Sequence, residues 1–407
     1  MNTETTILKT LKVRVRDKHA PILRQWAYEC NQIWNSANAT TAEYSNVPIP
    51  EVGYLHLNWS AFDLAKSQAA YSQSRGFTLH SQTVQEVTEA HAKARKQFNL
   101  DKLRWRVSGG ARRSLGWVPF KSGAAVWING QVRYNKHFFK VWDSYGLSNY
   151  SFRSGSFSED ARGRWYFNVV VAVPMVQSNA TGQIGIDLGL KTVATGSDGT
   201  KLEAQQFYRN AEQPLANAQR AHKKQRVKAL HAQIKNRRQN AIHQFTTQLV
   251  RENALIVVGN VSSSALAKTK MAKSVLDAGW FTLKTQLEYK SKGMQGVFLE
   301  VNEAYSTQTC SCCGSISSDS PKGRSGLRIR EWTCPDCGVL HDRDVNAAKN
   351  ILAAGHRRLA VGIPRLKAGE DVKKTQKVEI EVPEFDGYEF DGYRKPNNHD
   401  DFEVSNG

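Results

Sequence analysis

Two pairs of cysteines constrain the fold of this 407-residue chain more than any other feature of its sequence. Two residues separate Cys310 from Cys313 and Cys334 from Cys337, and twenty residues lie between the pairs. Four thiolates on two tight turns give Zn²⁺ the tetrahedral ligand set that it prefers. Two redox-active dithiols are the alternative, but no thioredoxin-like strand–helix–strand pattern surrounds them. The spacing therefore predicts one structural zinc ribbon.

The charge of the chain indicates an anionic partner. There are 56 Lys and Arg against 37 Asp and Glu, a formal net charge of +19, and residues 370–407 are acidic, so the preceding residues are more basic than this average. No apolar run approaches the ~18 residues that cross a bilayer, and the N-terminal residues lack the pattern of a secretory signal. We therefore expect a cytoplasmic protein with no membrane partner, whose clustered cysteines bind metal.

The N-terminal part of the chain alternates between strand and helix patterns. Apolar and basic residues alternate over residues 7–16, which predicts a strand with one positive face. Short aromatic-rich strand patterns return over residues 103–177, which indicates a β-barrel-like unit into which a helical module is inserted. The helical patterns lie near residues 19–40, 60–75 and 80–99.

From residue 183 the patterns of strands and helices predict an α/β domain with a mixed sheet. Its helices include one over about 213–250, one over about 272–291 and a short last helix after the cysteines. Residues from about 369 show turn residues and acids without a periodic pattern, so we expect a poorly ordered or loosely docked tail.

Two acidic residues stand where they could bind a metal ion. Asp187 closes the apolar strand in Ile-Gly-Ile-Asp-Leu-Gly, whose glycines would allow a substrate to approach the backbone closely; an ordinary turn aspartate is the alternative. Asp344 opens a helix directly after the second cysteine pair, where the alternative is an N-cap. Carboxylates on adjoining elements are what two Mg²⁺ ions ~3.5–4 Å apart require for phosphodiester hydrolysis.

Basic residues form two candidate nucleic-acid surfaces. From Arg220 through Arg251, both included, there are nine Lys or Arg and no Asp or Glu, together with an apolar stripe. This pattern favours a helix that packs on one side and contacts phosphates on the other. A merely solvated face would normally mix both signs. For the second, N-terminal set, plain surface charge is an equal alternative. The predicted contacts are Lys223, Lys224, Arg226, Arg237 and Arg238 on the helix, and Arg14, Arg16, Arg104, Arg106 and Lys121 in the second set.

Several motifs of the C-terminal half together resemble one family. The series IGIDLGLKTVAT, the long basic helix, YSTQTCSCCG, WTCPDCG and HDRDVNAAKNIL over roughly residues 183–355 is similar to TnpB, a family of RNA-guided nucleases encoded by bacterial insertion sequences and related to miniature type V CRISPR effectors. In the part of the chain before residue 183, only the order of the predicted domains resembles the family. The resemblance implies a wedge-type β-barrel at 1–18 and 103–180, an inserted helical recognition lobe at 19–102, an RNase H-like RuvC nuclease domain at 181–304 and 342–368, a target-binding zinc ribbon at 305–341, and an acidic, flexible tail at 369–407.

The resemblance also implies an activity. A TnpB-like chain would bind a guide RNA, recognise a short motif beside its target in double-stranded DNA, and cleave that DNA with two Mg²⁺ ions. It would act in the cytoplasm of a prokaryote, at the nucleoid. Three alternatives stay open: a nuclease-dead RNA-guided repressor, a miniature type V CRISPR effector, and a sequence-independent zinc-ribbon nucleic-acid binder.

One acid of the family site is missing from its usual position. Asp187 and Asp344 match the first and third RuvC acids, but Gly259 stands where the family usually has Glu at the end of a strand. A single helix joins this strand to the next, so we expect the two to run parallel and to end at the same edge. Glu303 lies at that edge and is long enough to reach sideways. We therefore predict Asp187, Glu303 and Asp344 as the catalytic, Mg²⁺-binding residues; the alternative is loss of cleavage.

Overall fold

The computed structural model describes residues 6–44, 47–49, 53–55, 60–100, 102–176, 178–261, 266, 268–326 and 328–362. The acidic tail predicted from residue 369 lies outside this part of the chain. The described residues divide into two compact units, one of residues 10–171 and one of residues 6–9 and 172–362. No helix in the described ranges is both long and apolar enough to span a bilayer.

The first unit joins three helices to strands that are rich in aromatic residues. Strand β1 buries Leu11, Val13 and Val15 and exposes the residues between them to different degrees, as the alternating pattern predicts. Strands β4-β9-β10-β1-β8 form one sheet in that order, and β5-β6-β7 form a second. The elements are β1 (Thr6–Val15), α1 (Ala20–Tyr44), β2 (Val47–Ile49), β3 (Gly53–Leu55), α2 (Ala61–Ser74), α3 (Ser81–Phe98), β4 (Trp117–Phe120), β5 (Ala125–Ile128), β6 (Gln131–Tyr134), β7 (His137–Phe139), β8 (Val141–Trp142), β9 (Phe152–Glu159) and β10 (Trp165–Pro174).

The second unit is built on one mixed sheet with the order β13-β12-β11-β14-β15. Strands β11, β12 and β13 are antiparallel, whereas β11, β14 and β15 run parallel, so these three strands end at one edge. The elements are β11 (Gly182–Leu188), β12 (Thr192–Gly196), β13 (Lys201–Glu203), α4 (Glu212–Arg220), α5 (Lys224–Glu252), β14 (Asn253–Gly259), α6 (Ala272–Ala278), α7 (Trp280–Gly293), β15 (Val297–Val301), α8 (Gly323–Gly326), β16 (Glu331–Thr333), β17 (Leu340–Asp342) and α9 (Arg343–Gly362).

The prediction of two continuous helices in this unit was wrong, since each is broken in two. His222, at a φ of 51°, lies between α4 and α5, and Gly279, at a φ of 67°, separates α6 from α7. A left-handed residue cannot continue a right-handed helix. The apolar spacing on either side continues across such a break, so periodicity alone did not reveal it.

Helices cover both faces of the sheet. On one face, Ile184 and Val258 pack in a core cluster with residues of α5 and α7 such as Leu249 and Leu287. On the other face, Val257 packs with Ile351 of α9. Each such side chain contributes about 2 kcal/mol through burial. The sheet is therefore the middle layer of three, and its strand ends are held in place from both sides.

Gly185 shows why strand β11 carries a glycine beside Asp187. A Cβ built on Gly185 would collide with the backbone oxygen of Ala348 and lie 2.7 Å from the backbone nitrogen of Leu352. The glycine therefore allows α9 to pack directly on β11. The expectation that this glycine makes room for a substrate was wrong, because the approaching backbone belongs to the last helix.

Candidate metal centres

The ends of β14 and β15 bring Glu303 to the site of the missing acid. Gly259 pairs with Val301 in the parallel register, as the crossover predicted. The next residue, Asn260, donates its backbone N–H to the Val301 carbonyl at 2.9 Å and accepts the Glu303 N–H on its side-chain oxygen at 3.3 Å. Asn260 therefore fixes the turn from which the Glu303 side chain extends.

The side chain of Glu303 occupies the space above Gly259. A Cβ added to Gly259 would lie 2.5 Å from Glu303 Oε2 and 3.1 Å from Glu303 Cβ. Among the described residues, Glu303 Oε2 is buried and has no hydrogen-bond partner. A buried carboxylate oxygen without a partner is costly unless a cation binds it. The Glu303 carboxylate therefore lies in the space that a side chain at residue 259 would occupy.

Asp344 lies in the first turn of α9 and is not its cap. Asp342 accepts the backbone N–H groups of Asp344 and Val345 on Oδ1, both at 2.9 Å, and so caps the helix itself. The Asp344 carboxylate accepts from Arg330 Nη1 at 2.9 Å and from Arg343 Nη2 at 2.7 Å. The N-cap alternative for Asp344 is therefore excluded by the hydrogen bonds that Asp342 makes.

The charges of Asp344 and Glu303 act on Asp187. Burial, followed by the charges of Asp344 and Glu303, raises the pKa of Asp187 to about 7, and Arg343 opposes this shift. Burial also raises the pKa of Glu303, Lys284 lowers it, and Glu300 raises it. Buried carboxylates that repel one another favour protons or cations between them. Hard oxygen ligands of this kind suit Mg²⁺, so the chemistry of the three acids fits a divalent metal. Among the described residues, only the four cysteines lie close enough together to bind one metal ion as they stand, so the three carboxylates would have to draw closer around a cation.

We expect an Asp187→Asn variant to be more stable than the wild-type chain at pH 8 without metal. The raised pKa means that the folded state binds this proton more tightly than the unfolded state, so stability falls as pH rises from about 4 to about 7 and stays lower above that. The amide removes this penalty, which is on the order of 2 kcal/mol. Thermal unfolding in EDTA at pH 8 and pH 5 tests this. A difference that grows toward pH 5 would contradict it.

The four cysteines of the predicted ribbon form one cluster. Their sulfur atoms all lie within 4.8 Å of one another, with 3.6 Å between Cys310 and Cys337 and 3.7 Å between Cys313 and Cys334. Around a zinc ion with Zn–S distances of about 2.3 Å, tetrahedral sulfurs lie ~3.8 Å apart. The cluster therefore fits Zn²⁺. Cys312, exposed between two of these residues, is not part of it.

The motifs in the sequence did not reveal two asparagines of helix α9 and one histidine of the ribbon; the two asparagines connect the ribbon to α9. His341 Nε2 lies 3.0 Å from Cys310 Sγ. Asn346 accepts the Ser311 N–H at 2.8 Å, and Asn350 donates to the Ser306 carbonyl at 2.8 Å. The available signal was the spacing of the two asparagines, which are four residues apart and so lie on one helix face, where Asn is an unfavourable residue. The first cysteine turn and α9 are thus held together by side chains.

The predicted contacts on α5 differ in their surroundings. Lys223, Lys224, Arg226 and Arg237 are exposed. Arg238 is partly buried, donates from Nη1 to the Leu276 carbonyl at 2.9 Å, and fastens α5 to α6. Four of the five residues therefore form an exposed basic face, whereas Arg238 has a structural contact.

Most residues of the second basic set make contacts with aromatic or acidic side chains of their own unit, whereas most of the predicted contacts on α5 do not. Trp142 lies under the guanidinium groups of Arg14 and Arg16, at 4.9 and 3.9 Å from the ring centre. Arg106 lies 4.3 Å from the ring centre of Trp34, and Lys121 forms an ion pair with Glu89. Arg104 is exposed. The pair of arginines on Trp142 remains accessible on one side because the indole itself is exposed.

Two family models match the chain. Residues 166–270 match a family described as "Probable transposase" (OrfB_IS605), and residues 280–351 match one described as "Cas12f1-like, TNB domain". The second range includes the four-cysteine cluster.

Named relatives are found among bacterial proteins. A protein of Streptomyces pristinaespiralis, "Putative RNA-guided DNA endonuclease", is 32% identical over 62% of this chain and 65% of its own length. The Escherichia coli K12 protein "Putative RNA-guided DNA endonuclease InsQ" is 32% identical over 52% of this chain and 59% of its own length. The chain thus matches less than two thirds of the length of either relative.

A solved structure shares the fold. The chain in "Cryo-EM structure of the Cas12f1-sgRNA-target DNA complex" aligns with 85% of this chain and 99% of its own length, with a TM-score of 0.55 and 12% identity. The predicted mixed α/β architecture is confirmed, whereas the β-barrel and the recognition lobe stay predictions.

Proposed function

Because the chain belongs to the TnpB family, we propose that it is an RNA-guided DNA endonuclease that binds a guide RNA and cleaves complementary double-stranded DNA next to a short flanking motif. The observation that supports cleavage most directly is Glu303, whose carboxylate fills the space above Gly259 and whose charge helps to raise the pKa of Asp187. A nuclease-dead repressor would not need a buried, unpartnered carboxylate oxygen at this place.

Asp187, Glu303 and Asp344 would hold two Mg²⁺ ions, which activate water and stabilise the leaving oxygen when bound. The contribution of the chain is to fix these oxygens. Helix α9 presses against Gly185 and sets the distance between Asp187 and Asp344, while Asn260 holds the backbone of Glu303. Hydrolysis leaves a broken phosphodiester and no new strand junction, so we do not propose transposition chemistry.

The remaining parts would serve binding. The strand order of the second unit supports a RuvC domain of RNase H-like fold, and the four cysteines would hold one structural Zn²⁺ in a ribbon that binds target nucleic acid. The first unit would supply the wedge-type barrel and the recognition lobe that hold guide RNA. Base pairing would then read the target sequence, and the protein would read the flanking motif. Acting on DNA, the protein would work in the cytoplasm at the nucleoid.

The deciding experiment is purification of the full chain with its native RNA. The bound RNA is sequenced, and cutting of a plasmid library that carries the complementary target beside random flanking bases is tested with Mg²⁺ and with EDTA. We expect Mg²⁺-dependent cutting next to one enriched motif. RNA-dependent binding without any cutting would instead support the repressor, and absence of a specific RNA would support the sequence-independent binder. Transposon ends or a repeat array beside the gene separate TnpB from a miniature type V effector.

We expect the exposed face of α5 to contribute to RNA binding through phosphates. Replacing Lys224, Arg226 and Arg237 with Ala should lower the slope of log affinity against log salt by about 2, because each lost contact to a single strand removes about 0.7. A matched triple replacement of Lys268, Lys270 and Lys292, which are also exposed, is the control. Filter binding at several salt concentrations measures both slopes. Equal losses in the two variants would contradict a defined phosphate track.

A further inference from the structure

We propose that Arg330 of the zinc ribbon is a positioning residue that competes with a divalent cation for Asp344, so that the ribbon controls metal loading. This inference rests on the proposed function, since it takes Asp344 as a metal ligand. Arg330 lies between the two cysteine pairs, immediately before β16. It therefore belongs to the ribbon, whereas Asp344 belongs to α9.

Asp344 is the member of the acidic triad that arginines neutralise. Arg330 Nη1 donates to Oδ2 at 2.9 Å, and Arg343 donates to Oδ1 from Nη2 at 2.7 Å and from Nε at 3.0 Å. Glu303 Oε2, by contrast, has no hydrogen-bond partner among the described residues. A cation that binds the three acids could therefore bind Oε2 of Glu303 directly. At Asp344 it would have to compete with the arginine hydrogen bonds to both carboxylate oxygens.

A cation can displace Arg330 from Asp344 more easily than it can displace Arg343. Its side chain is 39% exposed, against 12% for Arg343 and 17% for Asp344. Arg343 is also held by a bond from Nη1 to the Gly326 carbonyl at 3.2 Å. A half-exposed ion pair is weak because water competes for both partners. A divalent cation is therefore expected to take Oδ2 from Arg330 and to leave Arg343 in place.

The backbone of Arg330 would stay at the site after its side chain leaves. Its carbonyl accepts the Arg343 N–H at 2.7 Å, directly beside Asp344. A guanidinium tethered there matches the geometry of a phosphate oxygen pair. Nucleic acid that draws Arg330 away would then make Asp344 available to metal, so arrival of the substrate and metal loading would favour each other.

Binding of Mn²⁺ to the full-length chain without nucleic acid tests the competition. Free Mn²⁺ is measured by its paramagnetic resonance signal during titration of the wild type, Arg330→Ala and Arg328→Ala. Arg328 is an exposed arginine two residues away and controls for the loss of one positive charge. We expect Arg330→Ala to bind Mn²⁺ about three- to tenfold more tightly than the wild type, and Arg328→Ala to change binding less than twofold.

The outcomes separate this inference from the proposed function. Unchanged or weaker Mn²⁺ binding by Arg330→Ala overturns the competition, and so do equal gains in both variants, which would reflect net charge alone. Arg330→Gln serves as a second variant, and a zinc content of one per chain confirms an intact ribbon in each. Asp344→Asn should bind Mn²⁺ at least tenfold more weakly. If it binds normally, the metal site itself is wrong.

Discussion

A Glu303→Gln variant is expected to cut target DNA at least ~100-fold more slowly than the wild-type chain while it binds guide RNA and target equally well. The amide keeps the size of the side chain and removes the negative charge that would hold a metal ion. Loss of about 3 kcal/mol of transition-state stabilisation corresponds to this factor. Single-turnover cleavage in saturating Mg²⁺, together with an electrophoretic binding assay, measures both quantities.

Glu300 provides the matched control for this experiment. It lies on β15, three residues before Glu303, which follows the end of that strand, and forms an ion pair with Lys284 at 2.8 Å. Because its carboxylate is paired with that lysine and acts on Glu303 only through its charge, Glu300→Gln should cut within about threefold of the wild type. Normal cutting by Glu303→Gln would show that the middle acid has been assigned wrongly.

Exchanging the two positions tests the geometric argument itself. Gly259→Glu alone should cut poorly, because its Cβ would lie 2.5 Å from Glu303 Oε2 and would displace that carboxylate. Adding Glu303→Ala removes that oxygen and returns a carboxylate to the usual strand position. We expect the double variant to regain at least about tenfold of the cutting lost in Glu303→Ala. No recovery in a folded double variant would mean that residues 259 and 303 do not serve the same site.

The sequence predicted the position of Glu303 because that prediction needs only local geometry. Two strands joined by one helix run parallel and share an edge, and in the structure Gly259 pairs with Val301 at that edge. The pairing of Arg330 with Asp344 could not be predicted in this way. It depends on how an irregular ribbon segment folds back on a helix, and no periodic pattern specifies such a contact.

The helix breaks and the asparagine contacts were missed for a related reason. A single left-handed residue such as His222 interrupts a helix without changing the apolar spacing on either side. Asn346 and Asn350 satisfy backbone groups of the first cysteine turn, and their partners lie roughly 35 to 45 residues away in sequence. Polar contacts of this range depend on tertiary structure, whereas burial of β11 and β14 follows from composition alone.

We expect a Cys334→Ser variant to lose its zinc and nearly all cutting. Cys334 is fully buried at the centre of the ribbon core, against Trp332. A structural zinc site contributes about 10–16 kcal/mol of apparent binding free energy, which is comparable to the entire stability of a typical domain. Cys312→Ser is the control, because this exposed thiol lies in the same turn but outside the cluster. It should keep one zinc per chain and normal cutting.

Loss of zinc from the ribbon should also impair the cleavage site, because polar contacts connect the ribbon to α9. Without the metal, the first cysteine turn no longer presents Ser311 to Asn346, so the first turn of α9, which carries Asp344, loses its support from the ribbon. The basic face of α5 makes none of these contacts, so binding of guide RNA should fall less than about threefold. Zinc content, RNA affinity and single-turnover cutting of both variants measure this. Normal cutting by a zinc-free Cys334→Ser chain would show that the ribbon does not support the nuclease site.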